Sequence, residues 1–349
     1  MTTPVILEYV WIDGNMNLRS KYRTIYNYDT VITTQLNVPK WNYDGSSTNQ
    51  ATTENSEVVL NPVAIYKNPF IRDVKSFMVL CDTYYQNNIG SLEPTATNHR
   101  FYASTIFKFK NLLEPWYGIE QEYFMMAPMG TQHSNTPYAF SLEISPLQQG
   151  DYYCGVGNQH IKFRELAEKH YRYCLYAELN ISGVNAEVAP SQWEYQIGPS
   201  KGINAGDELW ISRYILHKLS EQYNVNISFV PKPVLSPCNG SGLHTNFSTT
   251  ETRGDNGMNY IDNYIERLSR KHTEHLQVYG DNSMRLSGEC ETSYINKFSC
   301  GYGNRGCSIR IPNDVLRKGY GYFEDRRPAS DADPYDVISI IYKTCCLDN

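Results

Sequence analysis

Cysteines in this chain form no Cys-x-x-Cys pair, and no His/Cys cluster has the spacing of a zinc site. The nine cysteines are scattered along 349 residues. That pattern reads as reduced, mostly buried thiols in a reducing compartment. No apolar run approaches the ~18–20 residues that a membrane span needs. The opening residues, "MTTPVILEYVWIDG", lack a basic stretch, and Glu8 interrupts their apolar run. They read as a strand rather than a signal peptide, so a soluble cytoplasmic protein without a membrane partner is expected. A basic excess is also missing. Net charge is −6 and charged residues make up 19%, which argues against a nucleic-acid partner. A phosphate-bearing small molecule is still allowed, because it needs only a local cluster of arginine and lysine. The chain has no G-x-x-x-x-G-K-[ST] loop, no kinase signature and no G-x-S-x-G elbow. Those absences speak against a P-loop nucleotide site, a protein-kinase site and serine hydrolysis. Internal repeats and low-complexity tracts are absent as well.

What is present begins with strands. "VILEYVWI" and the alternating "RSKYRTI" predict the first two, then comes a polar loop with "WNYDGSSTNQ", and "EVVLNPVAIY" and "KSFMVLCDTYY" follow. The polar, proline-bearing "NNIGSLEPTATN" marks a boundary near residue 92, giving two domains, 1–92 and 93–349. "HRFYASTIFKFKNLL" predicts a helix, and further helices are expected around 158–179, 205–222, 258–276 and 333–347. Between them lie short alternating segments, so the second part reads as α+β, built on one large antiparallel sheet. Residues 129–150 read as an irregular loop.

The alternating segments carry the chemistry. Glu120 and Glu122 in "GIEQEY" stand two apart, hence on one face and about 6.5–7 Å from each other. Two carboxylates on one face repel unless cations lie between them; taken alone they fit a solvated strand equally well. Other segments repeat the pattern. "HTNFS" puts His244, Asn246 and Ser248 on one face, and "GYFEDRRP" does so for Tyr322, Glu324 and Arg326. Glu194 sits between aromatics in "WEY", and Arg310 between isoleucines in "IRI". One shared polar cavity accounts for all of them more simply than separate solvated charges. Carboxylates and an imidazole without a thiolate suit Mg²⁺ or Mn²⁺. Arginines supply paired donors for phosphate and carboxylate. Together they describe metal-assisted phosphoryl transfer.

These segments resemble the eukaryotic-type (class II) glutamine synthetase family. The likeness runs from about Leu7 to the C-terminus and rests on "WNYDGSST", "PWYGIEQEY", "YYCGVG", "NAEVAPSQWEYQIGP", "NGSGLHTNFST", "NRGCSIRIP" and "GYFEDRRPASDADPYDV". The resemblance implies an N-terminal β-grasp domain and a C-terminal catalytic domain on a large curved antiparallel sheet flanked by helices. It implies a decamer of two pentameric rings with active sites between subunits. The implied reaction turns ATP, L-glutamate and ammonia into glutamine, ADP and phosphate through γ-glutamyl phosphate. It assigns Glu122 and Glu194 to one metal, and Glu120, His244 and Glu324 to a second. Asp44 and Ser47, with the flap residue Glu291, match the ammonium site. Asn239, Gly240, Arg285 and Arg305 match glutamate-binding positions. Arg310 and Arg326 match phosphate-holding residues, with Arg327 in support, and Trp116, Asn246, Ser248 and Tyr322 match the nucleotide site. For Ser248, Tyr322 and Arg327 a structural role competes.

One position departs from the resemblance. Lys201, in "QIGPSKG", is read as standing where the family carries a third glutamate for the metal of Glu122 and Glu194. A charged lysine cannot ligate a metal. Like unit charges 4 Å apart cost about 4 kcal/mol at an effective dielectric of 20. Lys201 is therefore expected to occupy the metal position itself, paired with Glu122 and Glu194, with fewer ions bound. The alternatives are a lysine turned to solvent beside a weaker site, or a chain that has lost activity and keeps a binding or assembly role. A related ligase using another amine is a further reading. Glu289 and Glu57 are smaller departures, where relatives more often carry a basic residue and an aspartate.

Overall fold

The computed structural model describes residues 4–26, 37–86, 90–109, 111–128, 136–138, 150, 152–157, 163–234 and 239–348. Most of the expected loop 129–150, and residues 158–162 of an expected helix, lie outside them. The chain divides into two compact units. One comprises Met1–Thr105 with Tyr173–Leu179, the other Ile106–Arg172 with Asn180–Asn349.

The first unit holds β1 (Val5–Ile12), β2 (Leu18–Ile25), β3 (Trp41–Asp44), β4 (Glu57–Lys67), β5 (Ser76–Gln86) and β6 (Leu92–Pro94). Their order is β2-β1-β5-β4-β3, with β6 on β5. The β1–β5 pair is parallel, so this sheet is mixed. Alternation explains the packing. Leu7, Tyr9 and Trp11 of β1 point to one side and join Tyr43, Val58, Leu60 and Val79 in one apolar cluster. The sheet curls: β2 and β3 are its two edges, yet Lys21 Nζ lies 3.5 Å from the ring centroid of Trp41.

α1 (His99–Ile106) is shorter than the helix expected from "HRFYASTIFKFKNLL", and a 3₁₀ turn at Asn111–Leu113 follows. β7 (Trp116–Met126), α2 (Arg164–Tyr176), β8 (Ile181–Ala186), β9 (Gln192–Lys201) and α3 (Asn204–Tyr223) come next. They are followed by β10 (Asn226–Ser228), β11 (Leu243–Ser248), α4 (Thr250–Arg253), α5 (Gly257–Arg270), α6 (His272–Leu276) and β12 (Cys300–Tyr302). β13 (Ile309–Ile311), α7 (Asn313–Lys318), β14 (Phe323–Asp325) and α8 (Pro334–Tyr342) complete the series.

The second unit's sheet runs β12-β13-β14-β11-β7-β9-β8, with β10 on β7. Every pair is antiparallel except β12–β13, which departs from the all-antiparallel expectation. One face is apolar and buried: Ile309, Phe323, Leu243, Phe247, Tyr117, Ile119, Tyr195 and Ile197. α3 and α8 cover it; the Tyr117 hydroxyl donates to the carbonyl of Ile338 on α8 at 2.8 Å. The molecule is thus α+β, and its second sheet leaves one face free for polar side chains. No helix among the described residues is long and apolar enough to cross a membrane.

Candidate functional site

The polar face is built by register. Arg310 pairs with Glu324, Glu324 with Asn246, His244 with Glu120, and Glu122 with Glu194. Directly opposed residues point to the same side of a sheet. Five strands, β13, β14, β11, β7 and β9, therefore bring those side chains into one row. His244 Nδ1 lies 3.7 Å from Glu120 Oε2, 3.7 Å from Glu122 Oε1 and 3.8 Å from Glu324 Oε1. Gly242 makes room for this imidazole, since a Cβ there would lie 2.5 Å from His244 Nε2.

Two pockets open on this face. The first is lined by Glu120, Glu122, Glu194, Asn239, Gly240, His244, Arg285, Glu291, Arg305, Arg310 and Arg326, all expected from the sequence, and by Tyr153, Glu187, Cys290 and Thr292, which were not. The second, of about 520 Å³, is mostly apolar. The expected Trp116, Asn246, Ser248 and Tyr322 line it, with Gln196, Arg253 and Tyr320 added. Glu120 lines both. Asn246 Nδ2 donates to Glu120 Oε1 at 2.9 Å and orients that shared carboxylate. Arg253 lies 4.2 Å over the Trp116 ring and donates to Ser248 Oγ at 2.9 Å, so the Ser248 hydroxyl also braces the pocket wall.

The acidic centre holds two groups whose ligand atoms lie within 4.8 Å of one another: Glu122, Glu187 and Glu194, and Glu120, Glu194 and His244. Burial first, then the charge of Glu187, pushes Glu122 up to about 8. Burial and the neighbouring Glu120, Glu187 and Glu122 push Glu194 well above the carboxylate range. Burial also raises Glu187, against hydrogen bonds from Val188 N–H and the Asn185 amide. Burial, with Arg326 next, holds His244 well below its ordinary value; a neutral imidazole is the ligating form. Crowded buried carboxylates with a neutral imidazole and no thiolate form a donor set that fits a hard divalent cation.

Glu324 differs from these. It is fully buried. Its Oε1 accepts from Arg326 at 2.8 Å, and its Oε2 lies 2.6 Å from Arg310 Nε without hydrogen-bond geometry. It stands beside His244 but outside both groups. Arg285 is braced by Asn282 Oδ1 at 2.9 Å and by the carbonyls of Arg326, Arg327 and Pro328. Glu291 is half exposed, with Oε2 3.9 Å from Arg305. Cys290 and Glu291 have φ of 49° and 61°, a left-handed pair of non-glycine residues at the pocket rim.

Lys201 requires a correction. It is exposed and pairs with Glu114, not with Glu122 or Glu194. It lies on the same extended strand as Glu194, seven residues further on; seven strand residues span about 23 Å. The carboxylate grouped with Glu122 and Glu194 is Glu187, seven residues before Glu194, where the chain turns back between β8 and β9. The sequence signal for Glu187 was its place in "NAEVAPSQWEYQIGP"; it follows a strand end, so no alternation picks it out. Arg327 departs from the phosphate-supporting role. It is wholly buried on the sheet's other side, bonded to Asp325 through Nε at 2.9 Å and Nη2 at 2.6 Å.

Asp44 and Ser47 lie in the first unit, at the end of β3 and in the 3₁₀ turn after it. Asp44 accepts from Ser46 N–H at 3.0 Å, Ser46 Oγ at 2.6 Å and Ser47 Oγ at 2.8 Å. These bonds, the Ser46 hydroxyl first, hold its exposed carboxyl below the usual range.

A family model described as glutamine synthetase, catalytic domain, matches residues 105–276. Among curated relatives, a glutamine synthetase of Amanita muscaria is 51% identical over 98% of this chain and 93% of its own length. One of Saccharomyces cerevisiae is 49% identical over 99% and 90%. A putative glutamine synthetase of Acanthamoeba polyphaga mimivirus is 50% identical over 98% and 94%. The solved structure of a Plasmodium falciparum glutamine synthetase shares the fold, with TM-score 0.74 at 17% identity, covering 97% of this chain and 71% of that one.

Proposed function

The chain belongs to the glutamine synthetase family, and from that premise we propose that it is a glutamate–ammonia ligase making L-glutamine from L-glutamate, ammonia and ATP. The observation that carries the reading is the shared face. Arg310, Glu324, His244, Glu120, Glu122 and Glu194 stand in one row, and Glu120 joins an acidic pocket to an aromatic one. A carboxylate is a poor acyl donor. The aromatic pocket, with Trp116, Tyr320 and Tyr322, suits a planar base, and Asn246 and Ser248 offer polar edges to it. Asn239, Gly240, Arg285 and Arg305 bind glutamate in the acidic pocket. Arg310 and Arg326 orient the phosphoryl group beside it. The side-chain carboxylate of glutamate attacks the γ-phosphorus, the bond to ADP breaks, and γ-glutamyl phosphate forms. Ammonia then attacks the acyl carbon and phosphate leaves. Asp44 takes the proton of ammonium and Glu291 shields the acyl phosphate from water.

Glu122, Glu187 and Glu194 would hold one divalent cation, Mg²⁺ or Mn²⁺; Glu120 and His244, with Glu324 beside them, would hold a second. Such cations would supply neutralisation of phosphoryl charge when bound. We place the enzyme in the cytoplasm as a decamer of two pentameric rings, with Asp44 and Ser47 of one subunit completing the neighbour's site.

The inactive-homologue reading rested on Lys201, which is paired with Glu114, so no observation favours it. ADP release is the test, measured with glutamate and either ammonium or other amines. Release with ammonium is expected. Release only with another amine overturns the ligase assignment in favour of a related γ-glutamyl ligase, and no release with any amine overturns it in favour of the inactive homologue.

A further inference from the structure

Each carboxylate of the Glu122–Glu187–Glu194 group receives a hydrogen bond from a neutral side-chain amide. Asn185 Nδ2 donates to Glu187 Oε1 at 3.0 Å, Gln192 Nε2 to Glu122 Oε2 at 3.3 Å, and Gln196 Nε2 to Glu194 Oε1. Two of the amides are joined, because Gln196 Nε2 also donates to Asn185 Oδ1 at 3.0 Å. The Gln196 amide nitrogen thus spends both its hydrogens, and Asn185 uses both ends of its amide. The pair forms a bridge from Glu187, on the turn after β8, to Glu194, inside β9. Backbone space is reserved for the bridge: a Cβ on Gly183, which pairs with Gln196, would lie 2.2 Å from Gln196 Oε1.

The choice of amides has a physical consequence. A cationic donor fixes a carboxylate but also neutralises it, as Arg326 and Arg310 do for Glu324. A neutral donor fixes the carboxylate and leaves its charge for another cation. The geometry points to Asn185 and Gln196 as positioning residues that set the spacing of Glu187 and Glu194 for a small divalent cation. This rests on the metal reading proposed above and adds to it the residues that tune the fit. Fixed ligand spacing favours a small ion with strict geometry over Ca²⁺, which accepts loose, high coordination.

The test uses the full-length protein freed of metal. Mn²⁺ binding is followed by electron paramagnetic resonance, and Ca²⁺ binding by competition, in the wild type, Asn185→Ala and Gln196→Met. Loss of a hydrogen-bonding partner of a metal ligand costs about 10–100-fold in affinity. That loss is expected for Mn²⁺ in both variants, with Ca²⁺ affinity changed by less than about threefold. A cooperative melt of the metal-free protein shows which of the two variants fold. The variants are read independently, so either one that folds decides the matter. Wild-type Mn²⁺ affinity in a folded variant, or equal weakening of Mn²⁺ and Ca²⁺, overturns the positioning role alone. A wild type that binds no Mn²⁺ overturns the metal reading and this inference with it.

Discussion

Glu187 is buried, shares a centre with Glu122 and Glu194, and is raised by burial and by like charge. Glu187→Gln keeps the shape and removes the charge. We expect Mn²⁺ binding to weaken at least about tenfold by calorimetry, with turnover falling by about 10²-fold. Lys201→Glu is the contrasting case: the residue is exposed and its partner is Glu114. Steady-state assay and Mn²⁺ titration should place this variant within about twofold of wild type, because surface changes away from special features do little. These two residues also mark the limit of what the sequence carries. Both lie seven positions from Glu194, and spacing alone has no direction. The fold supplies it: onward from Glu194 the strand stays extended, while backward it reaches a turn that folds Glu187 beside it. Glu120, Glu122, His244 and Arg310 were legible because alternation by two assigns a face without knowledge of the partner strand.

Among the elements, β14 and the residues after it serve both sides of the sheet. Glu324 and Arg326 point to the polar face, where Arg326 lines the acidic pocket, while Asp325 and Arg327 point to the other side and are fully buried. Tyr279 donates to Asp325 Oδ2 at 2.8 Å and His275 contacts the Tyr279 hydroxyl at 2.6 Å, which extends the inward pair into a buried network. Burial alone would push Asp325 up. The Arg327 guanidinium and its hydrogen bonds outweigh that and hold the carboxyl below its ordinary value. The unfolded chain therefore takes up a proton here before the folded one does. The stabilisation is complete above an unfolded pKa near 4 and is lost as pH falls through the lower folded value. Asp325→Ala leaves Arg327 buried and unpaired, at a cost of about 3–5 kcal/mol. Urea melts at pH 7 should register that loss, and the mutant's stability should fall less than the wild type's on acidification below pH 4. The sequence placed Arg327 near the phosphates because family likeness gives a role without a side; the alternation of "FEDRRP" separates 324 and 326 from 325 and 327. The short helices α4 and α7 had no periodic signal long enough to read, whereas α3 and α5 did.

At the scale of the whole molecule, Asp44 belongs to one compact unit and the acidic pocket to the other. In a ring of identical subunits joined head to tail, one subunit's first unit can meet the next subunit's second. Co-assembly tests this. If Asp44 acts on a neighbour's site, Asp44→Ala and Glu291→Ala are each inactive, yet co-expression in equal amounts restores about a quarter of wild-type activity, the share of random neighbour pairs with both residues intact. Activity at the level of the separate variants would mean that each site draws both residues from one subunit. The sequence located the change from the β-rich unit near residue 92. β6 continues the first sheet past that point, and the division by contacts falls at Thr105. A turn-rich composition marks where a chain can bend, not where its contacts end. The second unit has its own consequence. Glu120 belongs to two cavities at once, so an occupant of one alters the electrostatic field met by an occupant of the other. Thermodynamic linkage then fixes a symmetry: whatever factor nucleotide imposes on glutamate affinity, glutamate imposes on nucleotide affinity. Calorimetric titration of each ligand with the other at saturation should return one and the same factor, different from one, and Glu120→Gln should move it toward one.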